Sequence, residues 1–298
     1  LSVGFYDQSC PQMGSVVRAH VQSLAITDPT SPPAFLRLLF HDCQVQGCDA
    51  SILLDSDGGR IRSPEMDSSR NFAVRNRGAI ETIKTELENL CPRRVSCSDI
   101  IVLAAREAVA ITGGPRISVP LGRRDSTAVP SSGLADASLP PADSGVDAML
   151  RIFDRKDMTR EESVAILGAH TLGRTHCFNL RNRLYNFTDD PSNSPFELIL
   201  RANCPPYAAA SSTITVQNDV TSSFFDSQYY LDSISGRGVL KIDAEMAVDP
   251  RTQPIVERFA RDQDEFFRAF SSAFVKLSYS GVLTGDNGAI RRRCNSLD

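Results

Sequence analysis

The chain has 298 residues, with 41% apolar and 23% charged residues and a formal net charge of −4. This is the balance of an ordinary globular protein, long enough for one large domain or two lobes around a shared core. No apolar run approaches the roughly 20 residues of a membrane span, and no basic tract beyond Arg291-Arg292-Arg293 suggests nucleic acid. Those three arginines read as a solvated end of the chain rather than a binding patch.

Helical spacing dominates the chain. Val16, Val17, His20, Val21 and Leu24 set the first helical face. Arg37-Leu38-Leu39-Phe40-His41-Asp42-Cys43 follows; if helical, it places Arg37 and His41 one turn apart on the same side. An imidazole can take up and return a proton near neutral pH, and a guanidinium beside it can steady a developing anion. That pair suits cleavage of a peroxide bond. The bland alternative is a helix-end histidine with a surface arginine.

The next ten residues, Asp42 to Ser51, hold two carboxylates, a hydroxyl and a glycine turn. A Cys43–Cys48 bridge would tighten this loop. Side-chain oxygens of Asp42, Asp49 and Ser51, with the carbonyls of Val45 and Gly47, would form the hard-oxygen cage that calcium prefers. The alternative is a polar turn stapled by a disulfide. Ile80, Ile83, Leu87 and Leu90 mark another helix, ended by Cys91-Pro92. Ser98 or Ser96 can cap a run through Ile100 to Ala108, stopped by Gly113-Gly114-Pro115. Gly122 to Pro141 is polar and turn-rich and reads as a long loop dividing two helical halves. Glu161 to Leu167 and Phe266 to Leu277 are further helices, and strand signals are few and short.

His170 follows a small-residue apolar segment, Ala165-Ile166-Leu167-Gly168-Ala169. Such a surface lets a flat ligand lie close to the backbone, and the imidazole could serve as an axial ligand to haem iron. Read alone, a histidine on an apolar face is more often a core residue. Eight cysteines, an even number with no CxxC pair, suggest four disulfides in an oxidising compartment rather than free thiols or a zinc site. Their pairing stays open on spacing alone. Asn186-Phe187-Thr188 is a sequon for N-glycosylation. The start at Leu1, with no apolar signal stretch, reads as a mature form whose targeting peptide has been removed.

Taken together, these segments resemble the class III secretory plant peroxidases. The matching pieces include Phe5-Tyr6-Asp7 with Ser9-Cys10-Pro11, Arg37 to Cys43, Gly47 to Ser51, Val95 to Asp99, Pro120 to Asp125, Leu167 to Gly173 and Phe225 to Tyr230. The resemblance spans nearly the whole chain in order. It implies a mostly α-helical, two-lobed single domain, with one lobe of about residues 1–140 plus the C-terminal segment and another of about 141–265. It implies one haem b between the lobes and two calcium ions.

By the same resemblance, Arg37 and His41 match the distal catalytic pair, Phe40 packs at the distal face, and Asn71 accepts the N–H of the distal histidine. His170 matches the iron ligand, Asp243 its carboxylate partner, and Pro140 the residue whose carbonyl meets aromatic substrates. The distal calcium set is Asp42, Val45, Gly47, Asp49 and Ser51; the proximal set is Thr171, Asn218, Thr221, Phe224 by its carbonyl, and Asp226. The implied disulfides are Cys10–Cys91, Cys43–Cys48, Cys97–Cys294 and Cys177–Cys204.

Some positions depart from the family pattern. Asn218 stands where aspartate is common, which predicts a weaker proximal calcium site unless Asp219 compensates. Gln44, Ser69-Arg70 and Asn179 differ near the substrate region, and His20 and His176 match no catalytic position. The implied activity is reduction of hydrogen peroxide with one-electron oxidation of phenolic donors, such as lignin precursors. The implied protein is monomeric and acts outside the cell, in the cell wall or in the vacuole. Two alternatives stand beside it: a non-catalytic secreted protein on the same disulfide scaffold, and an intracellular peroxidase with free thiols.

Overall fold

The computed structural model describes residues 1–56, 64–128, 131–185, 194–206 and 213–297. Among the described residues the fold is helical, with one two-stranded sheet. The chain forms two compact units: Leu1–Leu139 with Phe274–Asp298, and Pro140–Ala273.

The first unit contains α1 (Met13–Thr27), α2 (Ser31–Val45), α3 (Arg77–Leu90), α4 (Cys97–Ile111) and α5 (Ser132–Ser138). Helix α4 is apolar almost all round, so it becomes the centre of the unit, with α1, α2 and α3 packed on it. Its residues from Ile100 to Ala105 are all buried. Of the two candidate caps, Ser96 performs the role: its hydroxyl accepts the Asp99 amide at 3.1 Å. The buried Asp99 carboxylate in turn accepts Tyr6 Oη at 2.7 Å and the Gly122 amide at 2.7 Å, and pairs with the buried Arg123 at 2.8 Å. A buried charge kept this way has both a counter-ion and hydrogen-bond donors.

Two expectations change here. The stretch read as loop from Gly122 to Pro141 contains α5, because Ser131 caps it and Ala135 is buried with Val45 and Leu139. A seven-residue helix with one leucine among small and polar residues carries too little periodicity to be read directly. The supposed solvated arginine run is also partly internal. Arg291 is only 1% exposed; its Nη2 donates to the Ala50 carbonyl at 2.6 Å and its amide to Asp125 at 3.1 Å.

The second unit contains α6 (Val146–Asp154), α7 (Arg160–Leu167), α8 (Arg181–Tyr185), α9 (Pro195–Asn203), α10 (Gln228–Ile234), α11 (Lys241–Met246) and α12 (Gln253–Arg261). Helix α13 (Gln263–Ser278) begins here and carries the chain back to the first unit. A capping box between Thr159 and Glu162 starts α7. The core is aromatic: Phe225 stacks on Phe266 at 5.5 Å, and Tyr230 meets Phe259 and Phe266 edge-on. Strands β1 (Arg174–His176) and β2 (Thr215–Gln217) pair antiparallel, with Thr175 opposite Val216.

All eight cysteines are bridged, as Cys10–Cys91, Cys43–Cys48, Cys97–Cys294 and Cys177–Cys204. The Cys97–Cys294 bridge spans 197 positions and fastens the chain end to the start of α4. Chain entropy assigns a loop of this size about 5 kcal/mol. Replacing both Cys97 and Cys294 by serine is expected to lower stability by about 2–5 kcal/mol in urea unfolding. A double variant as stable as the parent would show that the bridge contributes nothing.

Candidate active site

Helix α2 brings Arg37 and His41 together as the one-turn spacing predicts. Arg37 Nε donates to His41 Nε2 at 3.1 Å, and His41 Nδ1 lies 2.6 Å from Asn71 Oδ1. The amide of Asn71 is oriented from its other end, since its Nδ2 donates to the Glu65 carbonyl at 2.7 Å. Its oxygen therefore faces the ring, so the proton sits on Nδ1 and the Nε2 lone pair is the base. Asn71 closes a short 3-10 turn, Ser69–Asn71, capped by Ser68, whose hydroxyl donates to Asp136 of α5 at 2.6 Å. Phe40 stands edge-on to His41 at 5.7 Å and packs against Val45, Ala135 and Leu139.

The electrostatics keep this base neutral. Burial and the neighbouring Arg37 charge push the His41 pKa down to about 3, against a weaker upward pull from Asn71. Burial lowers Arg37 to about 10, which leaves it charged at neutral pH.

The loop after α2 is rich in buried oxygen. Asp42 Oδ2 accepts the Ala50 amide at 3.1 Å, while its Oδ1 is buried with no hydrogen-bond partner. Asp49 accepts from the Ser51 amide at 3.0 Å and from Gln46 Nε2 at 2.8 Å. Ser51 Oγ donates to Glu65 Oε1 at 2.6 Å, and Glu65 Oε2 is a second buried orphan. Burial, then Asp49 and Glu65, raise the Asp42 pKa well above the usual carboxylate range; burial takes Glu65 to about 7. Excess buried carboxylate oxygen of this kind fits a hard cation. Among the described residues no three histidine, cysteine or acidic side chains converge to hold a metal by themselves, so a cation here needs hydroxyl and carbonyl oxygens too. Gly47 adopts a positive φ of 146°, and a Cβ there would meet the Gly281 carbonyl at 2.3 Å, so the loop admits only glycine.

In the second unit, His170 lies in a 3-10 turn, Gly168–Thr171, directly after α7. Its Nδ1 is 3.1 Å from Asp243 Oδ1, which also accepts Tyr229 Oη at 2.8 Å; the other carboxylate oxygen takes the Leu240 amide at 2.8 Å. The fixed carboxylate holds the proton on Nδ1 and leaves Nε2 as a lone-pair donor. The His170 side chain is 32% exposed, and a neutral imidazole nitrogen is a donor type that suits haem iron. Gly168 is required for packing, because a Cβ would come within 2.3 Å of the Phe266 ring.

Thr171 Oγ1 is 2.7 Å from Asp219 Oδ2, 3.2 Å from Asp226 Oδ1 and 3.4 Å from the Phe224 carbonyl. Thr221 Oγ1 donates to the same Asp226 oxygen at 3.1 Å. Asn218 does not join this group by its side chain. Its Oδ1 accepts from Thr175 at 2.7 Å and its Nδ2 donates to the Leu172 carbonyl at 3.0 Å. Asp219 stands at Thr171 instead, and burial pushes its pKa up to about 7, with Asp226 and Asp232 adding to the rise.

Pro140 is the first residue of the second unit and is half-buried. Gln44 Nε2 donates to the Ser138 carbonyl at 3.3 Å, which ties it to α5. His20 pairs with Glu86 at 2.7 Å, away from this chemistry. Asn186 lies outside the described residues. Glu65 and Tyr229 were not singled out from the sequence. Glu65 sits in a turn with no periodic pattern, and only the folded chain reveals its link to Asn71 and Ser51.

Comparison with known proteins agrees with this chemistry. The peroxidase family profile matches residues 17–262. Peroxidase 29 of Arabidopsis thaliana is 54% identical over 303 residues, covering 100% of this chain and 89% of the relative. The chain belongs to the class III plant peroxidases. Peroxidase 63 and peroxidase 57 of the same plant are 40% and 41% identical, each covering 100% of this chain and 90% and 93% of the relative. It is therefore a haem peroxidase, an oxidoreductase that uses hydrogen peroxide, and nothing favours the non-catalytic alternative. The four disulfides of this peroxidase are also unlike the free-thiol alternative.

The His41 environment predicts the pH response of the peroxide step. If His41 is the base of that step, the ring must be neutral, so the rate should fall as pH drops, with a midpoint near pH 3. Arg37→Leu removes the positive charge that opposes protonation of the ring, so it should move the midpoint upward. Stopped-flow pH profiles of both proteins check this; an unmoved or lowered midpoint would contradict it.

Proposed function

We propose that Arg37, His41 and Asn71 carry out the acid–base work on hydrogen peroxide, with phenolic molecules as the electron donors. The observation that carries this reading is the hydrogen-bond chain from Arg37 Nε to His41 Nε2 and from His41 Nδ1 to Asn71 Oδ1. His41 Nε2 accepts the proton of the bound peroxide and returns it to the outer oxygen. Arg37 stabilises the negative charge that grows on that oxygen as the O–O bond breaks. Phe40 shields the base from solvent on one side. Haem b, ligated through His170 Nε2, would supply the redox chemistry, storing the two oxidising equivalents of peroxide for single-electron return to donors. Asp243 strengthens the imidazole as a donor to the metal. Pro140 is assigned to the donor site, where its carbonyl accepts from a phenolic hydroxyl.

Two calcium ions are part of the same reading. Asp42, Asp49 and Ser51, with the Val45 and Gly47 carbonyls, would hold one. Thr171, Thr221, Asp226 and the Phe224 carbonyl would hold the other, with the carboxylate of Asp219 serving beside Thr171. The four disulfides support action in an oxidising compartment, outside the cell in the wall or in the vacuole. Phenols of the lignin-precursor type are the donors proposed there, acted on by a monomer.

His41→Ala should slow the peroxide step about 10²–10⁴-fold, the contribution of positioned acid–base catalysis. Single-turnover mixing with peroxide tests this, and a variant of unchanged rate would remove His41 from the mechanism. For the second calcium set, Asp219→Asn should weaken calcium binding by about tenfold or more, while Asn218→Asp should change it little. Calorimetric titration of the calcium-depleted protein distinguishes them. Strengthening by Asn218→Asp with no effect of Asp219→Asn would assign the ligand to position 218 instead.

A further inference from the structure

The first unit carries a cleft of about 880 Å³ that none of the proposed chemistry uses. It lies between α1, the end of α4 and the segment from Arg116 to Ser118. None of its lining residues belongs to the peroxide, haem or calcium sets. Its volume is within the range of small-molecule sites.

The lining combines cationic and apolar groups. Arg18, Arg106 and Arg116 supply three guanidinium groups, against the single carboxylate of Glu107. Glu107 is buried and engages two of them: Arg18 Nε meets its Oε2 at 3.0 Å, and Arg106 Nη2 meets its Oε1. Each of those contacts uses one edge of a guanidinium and leaves other N–H groups available. Arg116 is exposed and has no hydrogen-bond or ion-pair partner among the described residues. Apolar side chains stand beside these charges: Ile26, 82% exposed, and the largely buried Ile117. The surplus positive charge is local, because the chain as a whole has a net charge of −4.

We propose that this cleft binds a small organic anion with a carboxylate head and a flat apolar body. The fork of donors on arginine matches a carboxylate, and its planar face accepts stacking by an aromatic ring. The apolar wall contributes burial of the body. Glu107 acts as the anchor that holds Arg18 and Arg106 in place but balances only one of their two charges, and Arg116 is the cation with no carboxylate beside it.

The test uses the haem-loaded enzyme and 2-naphthoate as the probe, followed by isothermal titration. Neutral 2-naphthamide and acetate serve as controls lacking the charge and the apolar body, respectively. Both controls should bind at least about tenfold more weakly than naphthoate. Arg116→Glu should weaken naphthoate binding by about tenfold or more and Arg116→Lys much less. Peroxide turnover with a phenolic donor should stay unchanged in both variants, which separates this site from the donor site and shows that the fold is intact. The proposal fails if naphthoate does not bind, if naphthamide binds as tightly, or if Arg116→Glu leaves the affinity as it was.

Discussion

The 2.6 Å hydrogen bond between His41 Nδ1 and Asn71 Oδ1 decides which nitrogen of the ring carries the proton and which keeps its lone pair, the one that meets Arg37 Nε. An imidazole in water exchanges its proton between two nitrogens. Here the amide oxygen fixes the tautomer, and the Glu65 carbonyl fixes the amide. The same Glu65 uses its carboxylate on Ser51, so the orientation of the catalytic ring and the packing of the oxygen-rich loop share one residue. A disturbance of that loop therefore reaches His41 through a single turn of chain. Burial and the Arg37 charge then keep the ring neutral, as the proposed base would have to be before it meets peroxide.

The two histidines show how the partner on Nδ1 sets the role of Nε2. His41 faces an amide, which carries no charge and leaves the imidazole a moderate base able to give its proton back. His170 faces a carboxylate held by Tyr229 and the Leu240 amide, and that charge makes its other nitrogen a stronger ligand. In the proposed function, reaction with peroxide needs the first behaviour, and holding an oxidised iron would need the second. The sequence places each histidine near a helix or turn end, but only long-range contacts deliver the right partner: Asn71 is 30 positions from His41, and Asp243 is 73 from His170.

What could be read from the chain follows from that distinction. The Arg37–His41 spacing is local, so a helix suffices to predict it. The long apolar helix with its serine cap was also visible, though not which serine. Helix α5 was hidden because its stability comes from burying Ala135 against Val45 and Leu139, a contact between distant segments. The buried state of Arg291 was hidden for the same reason: its partners, Ala50 and Asp125, lie far off in sequence. The family resemblance supplied the cysteine pairing, which spacing left open. At Asn218 the resemblance pointed to a residue whose side chain the fold turns toward Thr175, while the neighbouring Asp219 reaches Thr171. One step along the chain was enough to exchange an amide for a carboxylate.

The role of the Asn71 acceptor can be measured directly. Asn71→Val keeps the side chain of similar size but removes the acceptor for His41 Nδ1. Transient-state mixing of the haem-loaded variant with peroxide should then give a second-order rate constant lower than the parent's by about tenfold or more, with Arg37 and His41 still present. A variant that reacts with peroxide as fast as the parent would show that the tautomer of His41 is set by something other than Asn71, and the account built on that bond would not stand.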